Sequence, residues 1–249
     1  MVRGVLCTLV VGLSLSGCSA GGGGADSAPA RQTPSGTPAP SSSPSGTPTT
    51  APVVPRVPES PGLAPDPAPR LASDGTARES RMSIPAIDLT GLRVVPYRGS
   101  PDDAPGTRIQ DGGVAASPGG PDGGVGPGGV GNYLVTAHRT SSTRAFAELP
   151  RLRRGDRVHV DVGSRKWRVR YTYEIVRTRE TSFRSARSLQ EQSAPVPGRP
   201  GRPATRAMIT LSTCATPEDH AAGNYWSDEF GNPEHRIDKI GVLVARTSR

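Results

Sequence analysis

A strict alternation of side chains from Lys166 to Val176 constrains the fold of this chain more than any other feature. One face carries the apolar residues Trp167, Val169, Tyr171, Tyr173 and Ile175, and the other carries Lys166, Arg168, Arg170, Thr172 and Glu174. A period of two residues is that of an extended strand, in which successive side chains point to opposite faces. The pattern therefore predicts an antiparallel strand with one face buried and the other in solvent.

Several other short apolar runs are typical of strands. They are Leu89 to Val95, Asn132 to Ala137, Arg157 to Val162, Met208 to Cys214 and Ile237 to Ala245. The stretch Gly112 to Gly131 holds 10 glycines and is predicted to be a loop. Ala145 to Leu149 fits a single helical turn before Pro150. Many short strands with turn-rich connections and little helix indicate an all-β barrel or sandwich with short helical turns.

The N-terminal part of the chain has a different composition. Of the 27 prolines, 13 fall between Pro29 and Pro69, mixed with Gly, Ser, Thr and Ala. Such a segment offers too little apolar surface to offset the entropy of ordering it. We expect residues 19–79 to be a disordered linker rich in Pro, Gly, Ser and Thr, and residues 80–249 to form the folded domain.

Residues 1–18 are typical of a bacterial signal peptide. Arg3 precedes an apolar stretch from Val5 to Leu15, which is too short to span about 30 Å of hydrocarbon. The stretch ends in Leu-Ser-Gly followed by Cys18, which matches a lipobox, the motif whose cysteine is lipidated and becomes the new N-terminus. The alternative is an ordinary secretory signal in which Cys18 has no special role. The lipobox predicts a domain tethered to the outer face of the membrane.

Charge and motif content exclude several classes of function. The chain has 30 basic and 22 acidic residues, but its arginines are scattered and are not interleaved with aromatic residues, which favours a solvated basic surface over nucleic-acid binding. Dispersed histidines with one nearby cysteine do not make a metal site. A Gly-x-Ser-x-Gly elbow is absent, and the glycine-rich stretch lacks the Gly-Lys-Ser/Thr ending of a phosphate-binding loop. We expect no metal and no organic cofactor.

Cys214 is the candidate nucleophile. Cys7 lies in the segment removed with the signal peptide, so Cys214 is expected to be the unmodified thiol of the mature chain rather than half of a disulfide. A thiol becomes a nucleophile when its pKa is lowered or a base is placed beside it. His138, Arg236 and Arg206 are the candidate helpers. His138 ends a strand-like run as Cys214 does, and it precedes the cysteine, which is the reverse of the papain-like order.

Two motifs resemble those of the sortases, in particular the class E-like sortases of high-GC Gram-positive bacteria. Thr210 to Cys214 matches their Thr-Leu-x-Thr-Cys strand, and Gly131 to Thr140 resembles their Gly-Asn-x-x-x-x-Gly-His-Arg-Thr segment. The resemblance continues through Phe146 to Val158 and covers about residues 80–249. Ala137 stands where the family has glycine, and the insert from Ala215 to His235 is longer than usual.

The resemblance implies a closed β-barrel and a cysteine transpeptidase. In that reading Cys214 is the nucleophile, His138 the acid and Arg236 the oxyanion-stabilising group, while Thr210 and Thr213 bind substrate. The implied partners are secreted proteins with a C-terminal sorting signal similar to Leu-Ala/Pro-x-Thr-Gly, and an amine acceptor such as a peptidoglycan precursor or a pilin lysine. The alternative is a membrane-anchored peptide- or wall-binding module without catalysis.

Overall fold

The structure, a computed structural model, describes residues 71–164 and 168–248. The predicted signal peptide, Cys18 and most of the predicted linker lie outside the described residues. Eight strands are found in the described part, at Ser80–Ile84 (β1), Leu89–Arg98 (β2), Ala115–Gly119 (β3), Gly131–Thr136 (β4), Arg157–Gly163 (β5), Arg168–Ser182 (β6), Ala207–Cys214 (β7) and His235–Ser248 (β8). They close into a barrel in the order β1-β2-β3-β4-β7-β8-β6-β5, with β5 pairing back to β1. The all-β closed barrel is confirmed.

Three residues of the apolar face of β6 lie in the barrel core, as the alternation predicts, whereas Lys166 and Trp167 lie outside the described residues. Tyr171, Tyr173 and Ile175 are each at most 5% exposed. The residues between them, such as Thr172 and Glu174, are less buried. From the other strands the core receives, among others, Met82, Ile84, Tyr133, Val135, Val158, Val160, Ile209, Leu211 and Leu243. Burial alternates along β5 and most of β6, whereas every residue of β4 is buried, because elements packed on the outside of the barrel cover its other face. The interior of a small closed barrel is filled by side chains.

Three short α-helices join the strands, at Ala104–Asp111 (α1), Ala186–Ser193 (α2) and Thr216–Ala221 (α3). The turn predicted from Ala145 is of the 3-10 kind and continues to Arg151, with the Leu149 N–H donating to the Phe146 carbonyl over 3.1 Å. A further 3-10 turn spans Pro85–Ile87. In the described part of the chain, no helix is both long and apolar enough to cross a membrane.

The prediction that Gly112 to Gly131 is entirely loop was wrong. It contains β3, which pairs in parallel with β2, and this pairing needs the crossover that α1 provides. The rest of the stretch packs tightly against the barrel. Gly128 has φ +76° and donates its N–H to the Tyr173 hydroxyl over 2.7 Å, and a β-carbon there would lie 2.3 Å from the Tyr171 ring. Glycine is required at this position because any side chain would collide with the tyrosine.

Candidate active site

Strand register brings the predicted site residues to one edge of the barrel. β4 and β7 run parallel with Thr136 opposite Ser212, so His138 and Cys214 each lie two residues beyond that pair, at the same edge. β7 and β8 are antiparallel, and Cys214 is paired directly with Arg236. Parallel neighbours always end at a common edge of the sheet, which is why two residues far apart in sequence meet here.

Arg206, the other candidate helper, is excluded from this edge. It precedes the first residue of β7, whereas Cys214 is the last. At about 3.3 Å per residue, the length of the strand places the two roughly 26 Å apart.

Arg236 is buried against the thiol. Its side chain is 2% exposed, and Nη1 donates to Cys214 Sγ. Nη2 donates to Asn232 Oδ1 over 2.8 Å and lies 3.0 Å from Asp102 Oδ2. The guanidinium carbon is 4.6 Å from the centroid of the Phe183 ring. A buried guanidinium requires a paired charge, and Asp102, itself 3% exposed, supplies it.

The surroundings of Cys214 raise the pKa of its thiol. Burial raises the pKa, Arg236 acts in the opposite direction, and the Asp102 carboxylate raises it further. Burial has the largest effect because removal from water disfavours the charged form.

His138 is held by a carboxylate from the end of α1. Its Nε2 lies 2.9 Å from Asp111 Oδ1, and its side chain is 16% exposed. A ring nitrogen facing a carboxylate carries a proton, so this contact fixes both the orientation of the ring and the position of one proton. The imidazole thus lies at the barrel edge with limited access to solvent, which suits a group that exchanges protons with a substrate.

The two threonines predicted to bind substrate have buried hydroxyls. Thr210 donates to Asn132 Oδ1 over 2.8 Å, and Thr213 donates to the Ala137 carbonyl over 2.7 Å. Both bonds join β7 to β4, so these side chains fix the register that places Cys214. Substrate binding by Thr210 and Thr213 stays a prediction. The methyl group of Ala137 lies in the core, 1% exposed, which accommodates the departure from glycine at that position.

The long insert after Cys214 completes the site. It contains α3 and returns to β8 through Asn232, which is 6% exposed and contacts both Arg236 and the Asp102 backbone carbonyl, the latter over 3.2 Å. Asp228 holds Asn232 in turn by accepting from its side-chain amide over 2.9 Å. Sequence reasoning missed Asn232, Asp102 and Asp111. Asp103 is the N-cap of α1, and an aspartate just before a helix is a recognisable start signal in a sequence. Its neighbour Asp102 has no comparable signal.

The insert is fastened to β8 by His235. Its Nδ1 lies 2.6 Å from Asp219 Oδ1, and its backbone N–H donates to Asp219 Oδ2 over 3.0 Å. Burial lowers the pKa of His235, but the hydrogen bond and charge of Asp219, with the charges of Glu180 and Glu234, outweigh it, so the pKa lies above the ordinary 6.5. The charged pair therefore forms more readily in the folded chain than in the unfolded chain.

We expect the stabilising effect of His235 to be lost as the pH rises. Because the folded-state pKa is raised, the effect is complete below about pH 6.5 and disappears through the folded-state pKa. Between pH 6 and pH 8 the wild type should lose about 1 kcal/mol, or about 2–4 °C in Tm, relative to His235→Gln. Thermal melts at both pH values measure this. His220→Gln is the control, and an equal pH response of wild type and His235→Gln would refute the assignment.

A groove of about 700 Å³ opens beside Arg236. Its walls include Asp102, Phe183, Leu189, Gln192 and Phe230, from the loop before α1, the end of β6, α2 and the insert. Helix α2 is held on the barrel by Gln192, whose amide donates to Ser212 and Asp238 over 3.1 and 2.9 Å. The groove has the size of a small-ligand or peptide site and borders the groups that surround the thiol.

The remaining histidines have structural partners. His159 Nδ1 lies 3.1 Å from the Thr172 hydroxyl, and the His220 ring centroid is 4.8 Å from that of Tyr225. Within residues 71–164 and 168–248, no three His, Cys, Asp or Glu side chains are grouped in a way that could hold a metal ion.

Comparison with known proteins identifies the family and the fold. The sortase-domain family model matches residues 82–226. The SrtA sortase from Actinomyces oris is similar in structure, with TM-score 0.51 and 19% identity over 72% of this chain and 87% of that one. Sortase E from Streptomyces avermitilis (TM-score 0.48, 21% identity, 71% and 93% covered) and sortase E1 from Streptomyces coelicolor (0.49, 18%, 72% and 94%) are also similar.

No curated protein matched the sequence. The structural likeness to the Actinomyces oris enzyme extends over most of that enzyme and supports the barrel fold. The family model covers more than half of the chain, including β4 with His138 and β7 with Cys214. This chain therefore belongs to the sortase family, whose members are transpeptidases.

Proposed function

We propose that this chain is an extracytoplasmic cysteine transpeptidase that cleaves a C-terminal sorting signal similar to Leu-Ala/Pro-x-Thr-Gly between Thr and Gly. It then transfers the protein to an amine acceptor of the cell wall or of a pilin. The observation that carries the proposal is the convergence of Cys214, Arg236 and His138 at one barrel edge, with Arg236 donating to the sulfur. Each group has the chemistry that one step of acyl transfer needs.

The first half of the reaction makes a thioacyl-enzyme. His138 takes the proton of Cys214, and the sulfur attacks the threonine carbonyl carbon. Arg236 Nη1, which already faces the sulfur, then donates to the oxygen that becomes negative on that carbon. When the intermediate collapses, the bond between threonine and glycine breaks, and His138 gives a proton to the departing glycine amine. The product is a thioester between Cys214 and the threonine.

The second half consumes the thioester. A primary amine attacks the same carbonyl carbon, the carbon–sulfur bond breaks, and the proton lost by the amine restores the Cys214 thiol. His138 is placed to take a proton from the incoming amine, because it gave one to the leaving amine at the same position. Water attacking in place of the amine would release a free carboxylate. No metal or organic cofactor is needed for either half.

In this proposal, the N-terminal segment determines where the enzyme is located. Sortases are generally extracytoplasmic. A lipid on Cys18 would hold the chain at the outer face of the membrane, and the proline-rich residues that follow would extend the domain toward the wall at about 3.1 Å per residue where they are polyproline-like. Labelling of the chain by a radioactive fatty acid, and its loss in Cys18→Ala, tests this anchor.

Amide exchange tests the activity. The full chain would be incubated with a library of Leu-x-x-Thr-Gly peptides and a primary amine, and the products analysed by mass spectrometry. We expect a new amide at the threonine carboxyl and release of the peptide that begins with glycine. Peptide binding without any exchange or hydrolysis would favour the alternative, a sortase-like binding module.

Phe230 is expected to contribute to binding the peptide in the groove. Its side chain is 45% exposed and lines the groove, where an apolar residue of the signal would cover it. Phe230→Ala should raise KM about tenfold with little change in kcat, because the lost contact is the same in ground and transition states. Tyr225→Ala is the matched control, since Tyr225 is 73% exposed and packs against His220 outside the groove. Equal kinetics of both variants would contradict this role.

A further inference from the structure

Asp102 occupies an unusual position. It is 3% exposed and has φ +58°, the left-handed region that residues other than glycine seldom adopt. Three side chains hold it there. Gln110 donates to its Oδ1 over 2.7 Å, Thr107 donates to its carbonyl over 3.3 Å, and Asn232 donates to the same carbonyl over 3.2 Å. Such a conformation persists only when its surroundings determine it, and it is common at functional sites.

The carboxylate of Asp102 is directed at the arginine beside the thiol. Asp102 Oδ2 is buried and accepts no hydrogen bond from residues 71–164 or 168–248, and it lies 3.0 Å from Arg236 Nη2 as an ion pair. Asn232 accepts from the same nitrogen, so two groups hold one edge of the guanidinium. The other terminal nitrogen, Nη1, is thereby left facing Cys214 Sγ.

This arrangement meets a need of the reaction. An arginine side chain has many rotamers, and a donor is effective for a developing oxyanion when its position is fixed beforehand. The ring of Phe183 packs against the guanidinium, but a ring does not select which nitrogen faces the sulfur. The ion pair does select it, because the carboxylate engages one specific edge of the planar group.

We propose that Asp102 is a positioning residue of the transpeptidation site, acting through Arg236 to keep one guanidinium nitrogen on the reacting sulfur. The proposal rests on the proposed function, which it extends by a fourth residue. Helix α1 then serves the site at both ends. Asp102 lies just before the helix and contacts Arg236, and Asp111 is its last residue and contacts His138.

The charged groups around the thiol determine its pKa, which can be measured by alkylation. Arg236 from β8 donates to the sulfur, and Asp102 is paired with the other terminal nitrogen of that guanidinium. Arg139, which follows β4, donates to the Cys214 backbone carbonyl over 3.3 Å and is paired with Glu218 of α3. The charge of Asp102 raises the pKa of Cys214, whereas Arg236 lowers it. Removing the Asp102 charge while Arg236 stays on the sulfur should therefore lower the pKa of the thiol.

Asp102→Asn tests the proposal in the full chain, with two measurements. Amide exchange, each variant at its own optimal pH, should show kcat/KM reduced about 10- to 100-fold, as expected when a catalytic donor is misplaced. Alkylation of Cys214 by iodoacetamide across pH 6 to 11 should show its midpoint shifted to higher pH, because the lowering effect of Arg236 on the thiol pKa is larger than the raising effect of Asp102 and is lost when Arg236 leaves the sulfur. A shift to lower pH would mean that Arg236 stays on the sulfur without Asp102 and would overturn the proposal, and a role confined to folding would lower the Tm and leave the midpoint in place. The alkylation assay needs no peptide, so an inactive wild type would refute the proposed function without obscuring the shift.

Two further variants make the result decisive. Asp103→Asn is the matched control, because its carboxylate accepts from the Ser100 and Gly106 backbone and does not contact Arg236, so its alkylation midpoint should equal that of the wild type. Gln110→Met releases Asp102 without removing its charge, and should lower kcat/KM about fivefold with a smaller shift of the midpoint to higher pH. It also stands in if Asp102→Asn does not fold. Wild-type or faster exchange in Asp102→Asn would overturn the proposal. If Asp102→Asn does not fold, the same result in Gln110→Met would overturn it.

Discussion

Cys214→Ala is expected to abolish amide exchange, with a rate at least about 10⁴-fold below that of the wild type. The reaction proposed here proceeds through a bond from the Cys214 sulfur to the threonine carbonyl carbon, and alanine offers no atom to form it. The rate of formation of the new amide, measured by chromatography with mass detection, gives the result. The fold should survive, because the substitution removes a single sulfur atom from a partly exposed strand end.

Cys214→Ser separates chemistry from shape. A hydroxyl has nearly the size of a thiol but is a far weaker acid, so this variant should fold, bind the peptide and exchange little or none of it. Peptide binding by both variants can be followed by fluorescence polarisation. Exchange that continues at the wild-type rate in Cys214→Ala would refute the assignment of the nucleophile.

Arg236→Lys is expected to lower kcat/KM by about 10²- to 10³-fold, the effect of losing one oxyanion donor. Lysine keeps the charge that Asp102 requires but lacks the planar group that donates to Asn232 and Cys214 while it is ion-paired with Asp102. Arg236→Ala should also destabilise the fold by about 3–5 kcal/mol, because it leaves the Asp102 carboxylate buried without its partner. Steady-state kinetics and denaturant unfolding measure the two effects.

Arg184→Lys is the matched control for Arg236→Lys. Arg184 is 58% exposed, pairs with Glu234 over 3.4 Å and lies 5.8 Å from the Trp226 ring, so it shares the aromatic and acidic contacts without the burial. This control should keep wild-type kinetics and stability. A similar loss of activity in both variants would mean that the effect of Arg236 comes from general charge and not from its place beside the sulfur.

Local pattern was sufficient to predict six of the eight barrel strands. The alternation around Tyr171 and Tyr173 identified β6, since one buried face and one exposed face leave a direct trace in sequence. The strand β3 was missed because its residues, Ala115–Gly119, are small and lie within a glycine-rich stretch. Its position is determined by pairing with β2 through the α1 crossover, which is a property of the whole sheet and not of the segment.

The site was predictable where a motif carried it. Cys214 and His138 each end an apolar run, and Arg236 begins one, so the sequence marked all three. Asp102 and Asn232 had no such mark, because each is a polar residue in a polar segment. Their burial depends on tertiary contacts that bring the loop before α1 and the insert together over Arg236. The insert, which complicated the assignment of Arg236 from sequence, is what supplies one of its partners.

Trapping of the acyl-enzyme tests the central claim most directly. The full chain would be mixed with a Leu-x-x-Thr-Gly peptide without added amine, quenched in acid, and its mass measured intact and after digestion. The account predicts a mass increase equal to the peptide up to threonine, in thioester linkage to Cys214, and discharge of that adduct when a primary amine is added. An adduct on another residue, cleavage at another bond, or peptide turnover with Cys214 unmodified would contradict it.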